Sequence, residues 1–97
     1  MASLVYKNQA IFSNISATTA AFNLEAGNYG VTVTATFGGG SVTLQRLAAD
    51  ASTYVTCLTA FTAAGYATQL LPAGTYKVAV ATATGVYIDI TSIAEGA

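Results

Sequence analysis

Histidine is absent from this sequence, so the side chains with which it could do chemistry reduce to four carboxylates, one thiol, three cations and six phenols. Without imidazole there is no usual general base near neutral pH, no usual activator of a nucleophile and no neutral nitrogen ligand for a metal. A carboxylate pair is the remaining acid–base device, drawn from Glu25, Asp50, Asp89 and Glu95. Asp50 lies in an Ala- and Ser-rich turn, Glu25 leads into a turn and Glu95 belongs to a short C-terminal tail. Asp89, between Ile88 and Ile90, falls on the outer side of a strand, where a charge protects a sheet against unwanted pairing. All four read as solvated structural groups. Cys57 would need a neighbouring base or cation to form a thiolate and reads as a small buried hydrophobe. As the only cysteine it makes no intrachain disulfide, which leaves an intersubunit one as the alternative. Neither a helix start nor a Lys-Ser or Lys-Thr pair follows Gly38-Gly39-Gly40, so these glycines form a turn and not a phosphate cradle. No catalytic set, cofactor site or metal site is expected.

The same scarcity of charge narrows the partners. Charged residues make up 7% of the chain and the net charge is −1, against roughly 25% charged residues in ordinary domains. A surface of Thr, Ser, Ala, Asn and Gly has little electrostatic protection against association, so much of it is expected to be covered by partners. Lys7, Arg46 and Lys77 are too few to track a phosphate backbone, which disfavours nucleic acid. No apolar run approaches the roughly 20 residues of a spanning helix, and no basic amphipathic helix is visible, which disfavours a membrane. Met1 to Lys7 lacks the basic and long apolar regions of a secretory signal, so no export is expected and the Asn14-Ile15-Ser16 sequon carries no weight.

The elements that must position these groups are strands. The pattern Leu-x-Ala-Gly-x-Tyr-x-Val-x-Val occurs twice, from Leu24 to Val33 and from Leu71 to Val80, so one way of entering a strand is used twice. In the first copy Gly27 and Asn28 are expected to turn with positive φ. Tyr29, Val31, Val33, Ala35 and Phe37 then share one face, with Gly30, Thr32, Thr34 and Thr36 on the other. A hairpin with an even loop, either a tight Gly38-Gly39 turn or a wider one from Phe37 to Gly40, is predicted to set Ala35 beside Val42, Val33 beside Leu44 and Val31 beside Arg46. In the second copy a hairpin through Ala83-Thr84-Gly85 is predicted to pair Val80 with Ile88 and Val78 with Ile90. Further strands are expected over 15–24, 53–59 and 68–71, the first preferred to a helix from Ala17 to Leu24 because neighbouring Thr residues are poor helix formers, with Ala48 to Ser52 a turn and Ala60 to Ala67 a loop exposing Phe61 and Tyr66.

Seven or eight short strands without a helix indicate an all-β fold, an antiparallel β-sandwich with jelly-roll or Ig-like Greek-key connections. Residues 1–14 read as an extended arm or edge strand and 15–97 as a single sandwich domain. Tyr29 and Tyr76, each just after a turn, are expected to close the ends of the sandwich, with their hydroxyls bonded. Tyr54, Phe61, Tyr66 and Tyr87 are the aromatics free to stack on a sugar.

Gly39-Gly40-Ser41-Val42-Thr43-Leu44-Gln45-Arg46-Leu47, followed by Leu71-Pro72-Ala73-Gly74-Thr75-Tyr76-Lys77-Val78, resembles small β-sandwich structural proteins of tailed bacteriophages. The resemblance spans roughly residues 22 to 93 and lies in turns and core, so it transfers no functional residue. It implies a non-enzymatic capsid decoration or cement protein, or a head-fibre component, made in the host cytoplasm and carried on the virion. On that reading the partner is the major capsid protein or another virion protein, bound by a homo-oligomer, a trimer where capsid subunits meet. The apolar residues outside the clean core pattern, Leu4, Tyr6, Ile11, Phe12, Phe61 and Tyr66, are the expected protein contacts. A glycan-binding or adhesive module is the alternative.

Overall fold

The computed structural model describes residues 8–93. They form eight strands, β1 Gln9–Ile15, β2 Phe22–Leu24, β3 Gly27–Thr36, β4 Ser41–Leu47, β5 Tyr54–Thr56, β6 Gly65–Leu71, β7 Gly74–Ala81 and β8 Thr84–Ser92, with no helix among the described residues. Two four-stranded antiparallel sheets, ordered β1-β8-β3-β6 and β2-β7-β4-β5, pack face to face. The antiparallel pairs β1·β8, β2·β7, β3·β6 and β4·β5 are the rungs of one long ribbon, its tip at the β4–β5 turn. Rolled up, the ribbon gains the pairs β3·β8 and β4·β7. This is the jelly roll.

The core follows the period of two. Tyr29, Val31 and Val33 from β3 and Ile88 and Ile90 from β8 meet Val42 and Leu44 from β4 and Tyr76 and Val78 from β7, all buried. Full burial of each such aliphatic side chain stabilises the fold by about 1.5–3 kcal/mol.

The two predicted hairpins are not formed. Val42 pairs with Val80 and Leu44 with Val78 in one sheet, whereas Val33 pairs with Ile88 and Val31 with Ile90 in the other. Arg46 accordingly opposes Tyr76 and not Val31. The turn chemistry was read correctly in part: Gly38 and Gly39 have φ 55° and 84°, and Gly40 N donates to the Phe37 carbonyl at 2.7 Å. Gly85 is also left-handed, at φ 57°, but it already lies in β8 with Thr84, and the connection shortens to Thr82-Ala83, with Thr82 at φ 67°. Both turns nevertheless carry the chain from one sheet to the facing one. Burial parity fixes which side chains point inward, and inward is satisfied equally by a neighbour in the same sheet or by a strand across the core.

Other boundaries also move. Of the expected 15–24 strand only Phe22–Leu24 forms a strand of its own, Ile15 being the last residue of β1, and the expected 53–59 strand shortens to the edge strand Tyr54–Thr56. Strand β6 begins at Gly65, so Tyr66 lies on a strand and not in a loop. Neither Gly27 nor Asn28 takes positive φ, because Gly27 pairs with Leu71 and is already in the sheet.

The repeated motif has a structural meaning. Leu24, opening the first copy, pairs with Gly74 of the second, and Leu71, opening the second, pairs with Gly27 of the first. Each copy starts in one sheet and ends in the other, so the copies interlock at one end of the sandwich. The Tyr29 hydroxyl donates to the Glu25 carbonyl and the Tyr76 hydroxyl to the Pro72 carbonyl, both at 2.5 Å and both four residues back. These are two tyrosine corners, one per sheet. Burial, the larger cause for each, raises both phenol pKa values above the ordinary range. Arg46 completes the second corner. Its Nη2 donates to the Ala73 carbonyl at 3.0 Å and its guanidinium lies 6.0 Å from the Tyr76 ring centroid. A Cβ on Gly74 would stand 2.9 Å from Nη2, so that glycine makes room for the arginine.

The ribbon's tip is fastened by Asp50. Its carboxylate accepts from Ser52 N at 2.9 Å, Thr53 N at 2.8 Å and Thr53 Oγ1 at 2.6 Å. The Thr53 hydroxyl, then the Ser52 and Thr53 amides, lower its pKa to about 2. Because the folded value lies below the unfolded one, Asp50 stabilises the fold fully above about pH 4 and ceases to as pH falls through about 2. Thermal melts of wild type and Asp50→Asn should therefore differ at pH 6 and converge at pH 2. A difference that persists unchanged at pH 2 would remove the carboxylate from the account.

Candidate interaction surface

The alternation that fills the core also dictates what the β1-β8-β3-β6 sheet shows to solvent. Register aligns Ile11, Asp89, Thr32 and Tyr66 in one row across all four strands. Beside it, Tyr87 of β8 opposes Thr34 of β3, and towards the other end Asn28 opposes Leu70. Leu70 is 72% exposed, Tyr66 63%, Ile11 57% and Tyr87 50%. Asp89, half-buried with the Thr91 hydroxyl 3.4 Å from it, is the one charge in these rows. A shallow depression of about 260 Å³ between β1, β8 and β3 is lined by Ile11, Ser13, Thr32, Thr34, Tyr87 and Asp89, together with Phe12 and Ile88. The face is hydroxylated and apolar, with one carboxylate and no cation in these rows.

Tyr66 is placed by a glycine. A Cβ on Gly30 would lie 2.8 Å from the Tyr66 Oη and 3.0 Å from a ring carbon. The ring thus lies down across the bare backbone of β3, leaning away from the free edge of β6, with its other side open to solvent.

Of the residues expected to make contacts, Ile11 and Tyr66 share this face, while Phe12 and Phe61 turn inward against the core. Phe12 alternates with Ile11 along β1 and packs against Phe22 with the rings tilted by 48°, their centroids 5.4 Å apart. Phe61 bridges Val42 at the margin of the other sheet through two backbone bonds of 2.8 and 2.9 Å. Leu4 and Tyr6 lie outside the described residues. The sequence reading missed Leu70 and Val55. For Leu70 the signal was present, since Leu70 and Leu71 are adjacent in a strand and only one can face the core. Of the aromatics considered for sugar stacking, Tyr66 and Tyr87 lie on one face, two strand spacings apart across the sheet and two residues apart along it, about 12 Å between backbones. Tyr54 belongs to the other sheet, with Lys77 Nζ 4.2 Å from its ring centroid.

The described groups considered for chemistry are scattered, and Glu95 lies outside the described residues. Glu25 lies between β2 and β3, Asp50 at the ribbon's tip and Asp89 on the opposite sheet. No cluster of three or more His, Cys, Asp or Glu side chains occurs among the described residues. Cys57 is a half-buried free thiol packed against the core. Burial raises its pKa, and the nearby Arg46 only partly opposes this. It adjoins a cleft of about 490 Å³ between β4, β5 and β6, lined by Arg46, Leu47, Val55, Gln69, Leu71 and Pro72 among others.

The four sheet edges differ. Strand β2 has three residues, and beyond it Thr18 and Thr19 hydroxyls accept from Val80 N and Val78 N at 3.1 Å. Strand β5 also has three, and Cys57 N and Phe61 N continue its cover of β4 by donating to Leu44 and Val42 carbonyls. The β1 edge is interrupted by an irregularity between Phe12 and Ile15, with Asn14 at φ 54°. Strand β6, by contrast, runs seven residues in unbroken register with β3 and contains no charge and no proline.

No family model, curated protein or solved structure matches this chain.

Proposed function

We propose that this protein is a non-enzymatic virion structural protein that binds an assembled phage capsid and stabilises it, with the major capsid protein or another virion protein as partner. The observation that supports this most is the outer face of the β1-β8-β3-β6 sheet, where Ile11, Tyr66, Leu70 and Tyr87 are exposed beside a single carboxylate. Such a face recognises by shape and apolar contact. Four strand spacings by seven residues give it roughly 450 Å², about half of what one partner contributes to a standard interface. Single copies then bind weakly, and an array on a lattice binds through many contacts together. A ligand specific for the assembled shell stabilises that state by mass action.

The test is co-sedimentation with undecorated phage capsids. Comigration at a fixed stoichiometry is expected, with affinity falling about tenfold or more in Ile11→Ser/Tyr87→Ser, whose changes lie in solvent and leave the core intact. A folded wild-type protein that stays free of capsids would overturn the reading.

The second reading, a glycan-binding or adhesive module, is favoured by the reclining Tyr66 ring on Gly30, which offers a flat aromatic surface to a sugar. Jelly rolls occur in both viral shells and lectins, so topology favours neither. Saturable binding of a host polysaccharide, lost in Tyr66→Ala, would put this reading first.

A further inference from the structure

We infer that two copies of this chain join edge to edge through β6, making one continuous eight-stranded sheet with the order β1-β8-β3-β6-β6-β3-β8-β1. The inference goes beyond the capsid reading and does not depend on it.

An edge strand presents a row of unpaired N–H and C=O groups, and folded proteins normally blunt it with charge, proline, shortness, a bulge or a covering segment. Each of the other three edges carries one of these devices: β2 is short and flanked by Thr18 and Thr19, β5 is short and continued by Cys57 and Phe61, and β1 is irregular. Strand β6 has none of them along Gly65-Tyr66-Ala67-Thr68-Gln69-Leu70-Leu71. Tyr66, the one large side chain able to lean over this edge at its outer end, instead lies the other way across Gly30.

The partner that fits is a second β6. Antiparallel pairing about Thr68 places Tyr66 of one copy opposite Leu70 of the other, and Leu70 opposite Tyr66, with Thr68 facing itself on the two-fold axis. Every contact is thus made twice, as a two-fold interface requires. Aromatic–aliphatic pairs across a ladder are favourable, and like charges directly opposite are unfavourable. Here Tyr66 and Leu70 stand opposite in register with no charge between them, the pair forming once the Tyr66 ring swings from Gly30 toward the other copy, and the two are the most exposed large apolar residues described, at 63% and 72%. The join also sets two outer faces side by side, taking the contact surface from roughly 450 to roughly 900 Å², the scale of one partner's share in a standard interface. A two-fold contact makes even-numbered assemblies, unlike the trimer that the phage resemblance implies.

The experiment is light scattering coupled to size exclusion across a concentration series, with Thr68→Lys, Thr68→Glu and Thr34→Lys. Thr68 and Thr34 are both exposed, so none of these changes touches the core. Wild type is expected to reach twice the mass of the 9.8 kDa chain, with a dissociation constant on the order of 10 µM. Thr68→Lys and Thr68→Glu alone should each associate at least about tenfold more weakly, and an equimolar mixture of the two should recover the dimer. Thr34→Lys, in the middle of the face, should leave it unchanged. A wild type that is monomeric to about 1 mM, a trimer, or a dimer broken by Thr34→Lys but indifferent to Thr68→Lys would each overturn edge pairing through β6.

Discussion

Replacing Gly40 with alanine is expected to destabilise the fold by at least about 3 kcal/mol, a fall of roughly 12–24 °C in Tm for a domain of this size. An added Cβ would stand 1.8 Å from the Ala81 carbonyl oxygen, 2.7 Å from the Thr82 Cβ and 2.9 Å from the Ala81 carbonyl carbon. Two of these atoms are backbone and the third is held directly on it, so no flexible side chain can swing aside. Gly40 is where the crossing from β3 to β4 touches the crossing from β7 to β8. The second crossing has little room to yield, because Thr82 is already at φ 67°, a region where a β-branched residue is an outlier. Gly38→Ala and Gly39→Ala provide the contrast. Nothing lies within 4 Å of a Cβ at either site, but both glycines are left-handed, so each change should cost about 1–2 kcal/mol by conformation alone. Thermal melts of the three variants check the order. A Gly40→Ala protein as stable as Gly38→Ala would mean that the two crossings do not touch.

The tyrosine corners should respond in two steps. Tyr76→Phe removes the hydroxyl and leaves the Pro72 carbonyl without its partner at that end of the sandwich, a loss of about 1–2 kcal/mol. Tyr76→Ala also removes a fully buried ring, with a total near 3–5 kcal/mol. Tyr29→Phe and Tyr29→Ala should repeat the series with similar values, since Tyr29 occupies the matching place in the other sheet and donates to the Glu25 carbonyl. Urea unfolding of the four variants measures both steps. Should the Phe variants match wild type while the Ala variants lose their full share, the hydroxyl bonds would be incidental and the rings alone would hold the corners. Arg46 makes the Tyr76 step slightly the larger, because its guanidinium packs on that ring.

How much of this could be read beforehand divides along one physical line. Period-two patterning identified the core face of β3, and Tyr29, Val31 and Val33 are buried as the alternation required. It also supported the class of fold, and the repeated Leu-x-Ala-Gly-x-Tyr signalled that two strands are entered alike. What could not be read was sheet membership. Val78 and Ile90 are both core residues, but they belong to facing sheets and not to one ladder. A turn with left-handed residues permits either outcome, and the choice is made by strands far away in sequence, such as β1 and β6 on either side of the β8–β3 pair. The candidate surface was legible in the same partial way. Ile11 and Tyr66 fell outside the clean core pattern and are exposed, whereas Phe12 and Phe61 fell outside it too and are packed inward. Outward-facing residues are defined by what a sheet leaves uncovered, and that depends on neighbours a local pattern does not contain.

The ribbon topology also governs the order in which the molecule can be made. Among the eight strands, only β4 and β5 are neighbours both along the chain and in a sheet. Every other pair must wait for a partner synthesised later, and the β1·β8 rung joins the two ends of the described chain. During synthesis, residues up to β5 have one hairpin available to them and no completed sheet. The turn tied by Asp50 is therefore the natural seed, from which β3·β6, β2·β7 and β1·β8 can close in succession, each enclosing a longer loop. Such non-local closure places folding in the slow range of milliseconds to seconds. Throughout it, the apolar strands that will form the core stand open to other chains, and a sequence with so few charges has little to keep those chains apart.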